Sequence, residues 1–339
     1  MGLMNGMNRR ELLLYLGATA IVRGAERSWT LKQIRVRDPF ILTDPGSKTY
    51  YLYAQIGNRS NAEKGRRGVE VYTSRDLQMW SGPSTVFEVP ADFWAKEAVW
   101  APEVHRYRGR YYLFVTFTGT KLLGPKPAER PALTQRGTQI LAADSPQGPF
   151  RPLRNGPHTP EDWMALDGTL WVENNTPWMI FCHEWVQIED GTMELMKLRP
   201  DLSAPADRPS TLFRATDAAW VQSLKQSQGG NHGFVTDGPF LHRTRAGKLL
   251  MIWSSFGVNG YAIGIAESRS GSVVGPWRQQ TEPLFGANGG HGMIFHTLHG
   301  RLKLVFHQPN RSLDERAQLY DIQETASSLR LKAVLGRSL

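Results

Sequence analysis

The sequence predicts an all-β fold, a five-bladed β-propeller, and three observations support this prediction. The chain of 339 residues contains 33 glycines, 21 prolines and 11 tryptophans, and it shows no long helical period. Such a composition is typical of a turn-rich β architecture. Short apolar runs alternate with Gly, Asn and Asp turns, as in antiparallel meanders. These runs group into five similar units, and antiparallel units of this kind arranged radially form a propeller.

The five units follow one another along the chain after a candidate strand at residues 34–36. The central unit, residues 165–198, shows the pattern clearly, because turns at residues 173–176 and 190–191 separate three apolar runs. A β-sandwich is the competing all-β fold, but it would not need the same opening five times. We place the start of each unit's first strand at one of five residues, 54 to 70 positions apart: Asp38, Pro102, Asp167, Asp237 and His291.

This architecture predicts where the acidic residues meet. The first strand of each blade lines the central channel, so Asp38, Asp167, Asp237 and His291 should converge at one end of it. The end of a second strand lies beside the start of the first strand in an antiparallel pair. Glu184 should therefore reach the same end, with its neighbours His183 and Trp185 pointing away in a regular strand.

Converging carboxyl groups suggest acid–base chemistry. Like charges in one pocket raise one another's pKa, so that one group stays protonated as an acid while another serves as a base. Glycoside hydrolysis uses this division between two carboxyl groups. Side chains near the acids are candidates for contacts with a sugar substrate, and these are Phe40, Trp100, Trp185, Phe256 and His291.

Several motifs, in order along the chain, resemble those of glycoside hydrolase family 43 over about residues 34–310. The resemblance implies a five-bladed propeller that cleaves with inversion. It also implies an oligosaccharide or polysaccharide substrate containing α-L-arabinofuranosides, β-xylosides, or β-galactosides and galactofuranosides. The matching motifs are Arg37-Asp38-Pro39-Phe40, Trp100-Ala101-Pro102-Glu103-Val104, Asp144-Ser145-Pro146, Asp167-Gly168-Thr169-Leu170, Asp237-Gly238-Pro239-Phe240 and Gly290-His291-Gly292.

The resemblance also implies roles for single residues. Asp38 matches the general base that activates water, and Asp167 matches the acid that orients the general acid and raises its pKa. Asp237 stands where the family has a glutamate as general acid, and its side chain is one methylene shorter. We therefore expect Glu184 to be the general acid and Asp237 a further pocket acid, with Asp237 as the alternative donor. A non-catalytic carbohydrate-binding propeller is the alternative function.

His291 carries the expectation for a metal ion. It matches a position that in many family members lies near a bound calcium ion, chloride ion or water at the channel axis. The resemblance thus allows a structural calcium ion held through water, whereas the predicted reaction requires no cofactor.

The composition also limits the partners and the location of the protein. The formal charge is +9, but the basic residues are scattered, which argues against a nucleic-acid partner. No apolar stretch reaches the length of a membrane span, and the single cysteine, Cys182, is expected in the core. Arg9-Arg10 and the apolar residues after it predict a twin-arginine-like export signal at residues 1–25. An exported protein, periplasmic or secreted, with one catalytic domain at residues 30–339 is therefore expected.

Overall fold

A computed structural model describes residues 28–56 and 65–332, and these residues form a ring of five antiparallel sheets. The predicted five-bladed β-propeller is confirmed. The export signal predicted at residues 1–25 lies outside the described residues. Among the described helices, none is long and apolar enough to cross a membrane.

Each blade is a meander of four strands that are consecutive in the chain, and one additional short strand, β1 (Ser28–Trp29), pairs with the outer edge of blade 1. Within the described residues, two short helices lie in the connections, α1 (Trp185–Ile188) and α2 (Leu224–Gln228), and a 3₁₀ turn spans Ala215–Asp217. The blade strands, in chain order, are β2 (Phe40–Asp44), β3 (Thr49–Gln55), β4 (Gly68–Ser74) and β5 (Trp80–Glu88); β6 (Ala98–Tyr107), β7 (Arg110–Leu122), β8 (Thr134–Ala143) and β9 (Arg151–Pro152); β10 (Ala165–Glu173), β11 (Thr176–His183), β12 (Thr192–Lys197) and β13 (Ser210–Arg214); β14 (Asp237–Arg243), β15 (Leu249–Gly257), β16 (Gly260–Ser268) and β17 (Trp277–Gln279); β18 (Gly290–His296), β19 (Leu302–Gln308), β20 (Arg316–Glu324) and β21 (Leu329–Leu331).

The hydrophobic core lies between neighbouring blades. Successive side chains of a strand point to opposite faces of its sheet, and both faces of a blade are covered here. In β11, Met179 and Phe181 pack against blade 2, whereas Ile180 and Cys182 pack against blade 4. This two-sided burial explains why the strand is a continuous apolar run, and it confirms Cys182 as a buried core residue.

The ring closes where residues 32–37 meet blade 5. Arg35 forms an isolated antiparallel bridge with Arg316, and Arg37 Nη1 lies 3.3 Å from Glu315 Oε1. The strand expected at residues 34–36 is therefore wrong, because the pairing at this point is limited to an isolated bridge at Arg35. This closure places Asp38, at the start of the chain's first blade, against the last blade.

One backbone feature recurs at the inner end of every blade. Near the start of each first strand lies a residue in the left-handed region, φ between 44° and 58°, followed at once by proline or glycine. In blades 2 to 5 the pairing with the second strand shifts at this point, as in a β-bulge. The five left-handed residues are Asp38, Ala101, Asp167, Gly238 and His291.

This feature corrects the alignment of the units. Pro102 and Asp237, placed above at the start of their blades, are each one position away from the equivalent residue. The equivalent residues are Ala101 and Gly238. The acidic side chain of Asp237 suggests equivalence with Asp38 and Asp167, but the backbone conformation defines the repeat, and by this criterion Gly238 is the equivalent residue.

A buried histidine links blades 2 and 3 outside the channel. His158 is 1% exposed; its Nδ1 accepts a hydrogen bond from the Ile140 amide at 3.2 Å, and its Nε2 lies 3.2 Å from the carbonyl oxygen of Leu202. This arrangement fits a neutral ring that carries its proton on Nε2. Burial, followed by the charge of Arg154, lowers the pKa of His158 from 6.5 to about 4.

We predict that His158 makes the fold sensitive to mild acid. The unfolded chain binds a proton below pH 6.5 whereas the folded chain binds it only near pH 4, so this contribution to stability is lost as the pH falls between these values. The loss at this site amounts to about 3 kcal/mol. Urea unfolding between pH 7 and 4 should show a weaker pH dependence for His158→Asn than for the parent. The exposed His299→Asn variant serves as control and should keep the pH dependence of the parent. If the free energy of unfolding of His158→Asn changes with pH as steeply as that of the parent, the prediction is contradicted.

Candidate active site

A pocket of about 290 Å³ opens at the end of the channel where the five blades start. Two sets of first-strand residues line it. The left-handed residues contribute Asp38 and Asp167, and the residues immediately before the left-handed position contribute one side chain from each of blades 1 to 4. The complete lining is Arg37, Asp38, Trp100, Leu166, Asp167, Glu184, Trp185, Val235, Thr236 and Asp237. The predicted convergence of acids from separate blades is therefore present in the structure.

Asp38 is buried and surrounded by cationic or hydrogen-bonding groups. Its Oδ1 lies 3.2 Å from His291 Nδ1, 3.3 Å from His307 Nδ1 and 3.8 Å from Arg37 Nε. Burial acts to raise the pKa of Asp38, but the combined effect of His291, His307 and Arg37 holds it well below its usual range. Asp38 is thus a carboxylate throughout the neutral and mildly acidic range.

Asp167 has the opposite electrostatic environment. Its amide donates to Thr116 Oγ1 at 2.9 Å, and its Oδ2 accepts from the Gly238 amide at 3.1 Å. Burial raises the pKa of Asp167 well above its usual value, and the nearby carboxyl groups of Asp237 and Asp38 raise it further. Asp167 and Asp237 are within hydrogen-bonding contact, and this proximity favours the protonated form of Asp167.

Asp237 is the more accessible member of the pair. Its side chain is 23% exposed, compared with 5% for Asp167. The hydroxyl group of Tyr261 donates a hydrogen bond to Asp237 Oδ2. Asp237 therefore exposes its carboxyl group to the pocket, whereas Asp167 contacts Asp237 from the more buried side.

His291 connects the two halves of the site. Its Nδ1 is 3.2 Å from Asp38 Oδ1 and 3.9 Å from Asp237 Oδ1, so these two oxygens are no more than 7.1 Å apart. The His291 amide donates to Ser254 Oγ at 2.8 Å. The ring packs on Gly238, where a Cβ atom would lie 2.7 Å from His291 Cγ. Gly238 is thus required for the space occupied by His291.

Glu184 lies in the pocket wall but in a different local structure from the predicted one. Strand β11 ends at His183, and Glu184 is the N-cap residue of helix α1. The expectation that Trp185 points away is therefore wrong, because the chain turns here and both Glu184 and Trp185 line the pocket. Glu184 forms an ion pair with the buried Arg136. Burial raises the pKa of Glu184, and Arg136 opposes this effect.

Two of the aromatic residues predicted to bind sugar line this pocket, Trp100 and Trp185. Phe40 does not, because it lies two residues further along its strand, where it packs edge-to-face against His105 and Phe240. Phe256 is also absent from the lining. It is buried behind the wall, in a cluster with Tyr261 and with Trp185 packed against it.

The sequence indicated no role for several site residues, among them Arg37, Arg136 and Tyr261. Arg37 stands directly before Asp38. Its place in the pocket could have been inferred from the repeat, because the residue before the left-handed position lines the pocket in blades 1 to 4. Tyr261 begins a recognised apolar run, but no pattern indicated that its hydroxyl group would contact Asp237. Arg136 follows a segment with no regular pattern, and only the three-dimensional structure brings it to Glu184.

The acidic end of the channel offers few ligands for a metal ion. One atom each from Asp167, Asp237 and His291 lie within 4.8 Å of one another. Calcium takes six to eight oxygen ligands, whereas this set supplies two carboxylate groups and an imidazole nitrogen. The His291 nitrogen also lies at hydrogen-bonding distance from Asp38. The described residues therefore do not form a calcium shell of their own, and a calcium ion held through water stays a prediction.

Comparisons with known proteins agree with this architecture. The model of the family "Glycosyl hydrolases family 43" matches residues 31–330. The crystal structure of an endo-arabinase from Bacteroides thetaiotaomicron VPI-5482 is 40% identical, with a TM-score of 0.77, over 88% of this chain and 98% of that chain. No curated protein sequence matches the chain.

More distant structures share the fold alone. An α-L-arabinofuranosidase from Lactobacillus brevis is 17% identical with a TM-score of 0.70, over 89% of this chain and 95% of that chain. An endo-1,4-beta-xylanase from Bacteroides thetaiotaomicron VPI-5482 is 19% identical with a TM-score of 0.67, over 91% and 97%. The match to 300 consecutive residues, together with the 40% identical structure, shows that the chain belongs to glycoside hydrolase family 43.

Proposed function

We propose that this glycoside hydrolase cleaves α-L-arabinofuranosidic linkages of oligosaccharides or polysaccharides with inversion of configuration. The observation that carries the proposal is one pocket in which the carboxyl groups of Asp38, Asp167 and Asp237 converge from three different blades. Inverting hydrolysis requires one carboxyl group as base and another as acid. The sugar is proposed from the endo-arabinase that is 40% identical over most of both chains.

Asp38 is the proposed general base. Its contacts with His291 and Arg37 keep it ionised, and it can accept a proton from a water molecule that attacks the sugar. Oδ1 of Asp38 and Oδ1 of Asp237 are at most 7.1 Å apart. Inverting enzymes separate their two carboxyl groups by about 6.5–9.5 Å to leave room for this water. The observed limit is compatible with the lower part of that range.

Asp237 is the proposed general acid, and Asp167 modulates its proton affinity. Asp237 is more exposed than Asp167, and no arginine or lysine within the described residues forms an ion pair with it. Glu184, the donor expected from the sequence, forms an ion pair with Arg136, and that contact favours the carboxylate form. The contacts therefore favour Asp237 over Glu184 as the proton donor.

We also propose that residues 1–25 direct export of the folded enzyme. The proposal is supported by Arg9-Arg10 and the apolar run that follows them. A fusion of these residues to a reporter enzyme, with Arg9-Arg10 replaced by lysines as control, tests it by the fraction found outside the cytoplasm.

The first prediction concerns the substrate and the base. Among aryl α-L-arabinofuranosides, β-xylosides, β-galactosides and galactofuranosides, we expect the arabinofuranoside to be cleaved fastest. Proton NMR should show the inverted anomer as the first product. Asp38→Asn should lower kcat by about 10²- to 10⁴-fold, because the water loses its general base. A propeller that only binds carbohydrate would retain sugar in a binding assay and cleave no glycoside.

The second prediction identifies the proton donor. Asp237→Asn should lower kcat/KM on a natural arabino-oligosaccharide by about 10²- to 10⁴-fold, and much less on an aryl glycoside with a good leaving group. An activated leaving group needs little protonation, so the ratio between the substrates is the diagnostic quantity. If Asp237→Asn affects both substrates equally, Asp237 is not the donor.

The third prediction concerns the alkaline limb of the pH–rate profile. The pKa of Asp167 is raised well above its usual value, and Asp167 loses its proton as the pH rises, so kcat/KM should fall on the alkaline side. Asp167→Asn removes the neighbouring acid that raises the proton affinity of the pair, and the limb should shift to lower pH. Measurements of kcat/KM between pH 5 and 9 test this shift, and an unchanged limb would exclude Asp167 as modulator.

A further inference from the structure

The wall of the pocket contains a second charged pair whose role the reaction leaves unexplained. Arg136 enters from the start of β8 in blade 2, and its side chain is 9% exposed. Its Nε donates to Thr118 Oγ1 at 2.9 Å and its Nη1 donates to Glu184 Oε2. Its guanidinium carbon lies 4.3 Å from the centre of the Trp100 ring. Arg136 thus fixes both an acid and an aromatic ring of the pocket lining.

The charge state of this pair follows from the arginine. An arginine side chain does not release its proton in proteins. If Glu184 were protonated, the guanidinium group of Arg136 would have no anionic partner among the described residues, and a buried charge without a partner is strongly destabilising. The ion pair therefore favours the carboxylate form of Glu184 against the effect of burial, and a carboxylate is a poor proton donor and a strong hydrogen-bond acceptor.

Only one oxygen of this carboxylate is used within the described part of the chain. Oε2 accepts from Arg136, whereas Oε1 has no hydrogen-bond donor there and is not among the fully buried atoms that lack a partner. Glu184 lines the pocket beside Trp185, and Trp100 also lines it. Oε1 is therefore a fixed acceptor beside two aromatic side chains, a combination suited to sugar hydroxyl groups on a ring that packs against the indoles.

We propose that Glu184 binds hydroxyl groups of the sugar at the cleavage site and that Arg136 is the residue that positions it. This inference rests on the proposed function, and it assigns the pair to recognition rather than to proton transfer. Glu184 selects sugars that place a hydroxyl group opposite Oε1. Arg136 contacts no substrate and acts by orienting Glu184 and Trp100.

The test combines protein variants with altered sugars. Wild type, Glu184→Gln and Arg136→Lys are compared on the aryl glycoside cleaved best and on the corresponding natural oligosaccharide. Aryl glycosides that each lack one hydroxyl group of the same sugar complete the set. Arg110→Lys is the matched control, because Arg110 forms an exposed ion pair with Asp144 in the same blade at 2.9 Å.

Glu184→Gln should lower kcat/KM by about 10- to 100-fold on both full substrates, the typical effect of losing a hydrogen bond to a charged group. One of the deoxy substrates should show this loss already with the wild type and little further loss with the variant. Arg136→Lys should also reduce the loss of kcat/KM that follows when this hydroxyl group is removed from the sugar. A lysine cannot donate hydrogen bonds to Thr118 and Glu184 in the geometry that Arg136 uses. Arg110→Lys should behave as wild type, and the thermal midpoints show whether each variant is folded.

Two results would overturn the inference. If Glu184→Gln reduces cleavage of the natural substrate but spares the aryl glycoside, Glu184 is the proton donor. If every deoxy sugar is penalised equally in wild type and Glu184→Gln, Glu184 contacts no sugar hydroxyl group. Failure of the proposed function is distinct, because it appears as wild-type activity in Asp38→Asn or as no cleavage of any glycoside by the parent enzyme.

Discussion

The left-handed residue at the inner end of each blade is the constraint on which the site depends. A side chain in this conformation leaves the regular alternation of the strand, and in three blades it is Asp38, Asp167 or His291. Their contacts with one another follow from the ring, which brings the five equivalent positions together. The cost of a left-handed conformation at residues other than glycine is of order 1–3 kcal/mol each, so the surrounding sheets must hold these residues in place.

The opposite pKa shifts of Asp38 and Asp167 follow from their different neighbours in the same ring. Asp38 faces His291, His307 and Arg37, because the closure of the ring brings blade 5 against it. Asp167 faces Asp237 and the amide of Gly238. Two aspartates in equivalent backbone positions thus acquire different chemistry from the blades beside them. The repeated fold gives the two aspartates the same backbone position, and the residues of the adjacent blades give them different electrostatic environments.

The sequence was sufficient to predict the propeller, the number of blades and the meeting of Asp38, Asp167, Asp237 and Glu184. These features depend on apolar periodicity and on a repeated opening, both of which are visible in the residues. The sequence was insufficient for Arg136 and Tyr261, whose functional contacts cross between strands at distances that no local pattern encodes. The sequence also led to a wrong position for Phe40 and Phe256. Proximity to an acid in the sequence does not show on which face of a strand, or at what depth in the channel, an aromatic side chain lies.

The short side chain of Asp237 agrees with a sugar bound deep in the pocket. Asp237 stands one position before the left-handed Gly238, in the same set of residues as Trp100, and its oxygen is at most 7.1 Å from that of Asp38. A shorter acid reaches the glycosidic oxygen only if the substrate lies closer to the floor formed by Asp38 and Asp167. A sugar at that depth is also surrounded by the wall, where Glu184 lies. The same geometry therefore agrees with both proposed roles, Asp237 as proton donor and Glu184 as a fixed carboxylate beside the sugar ring.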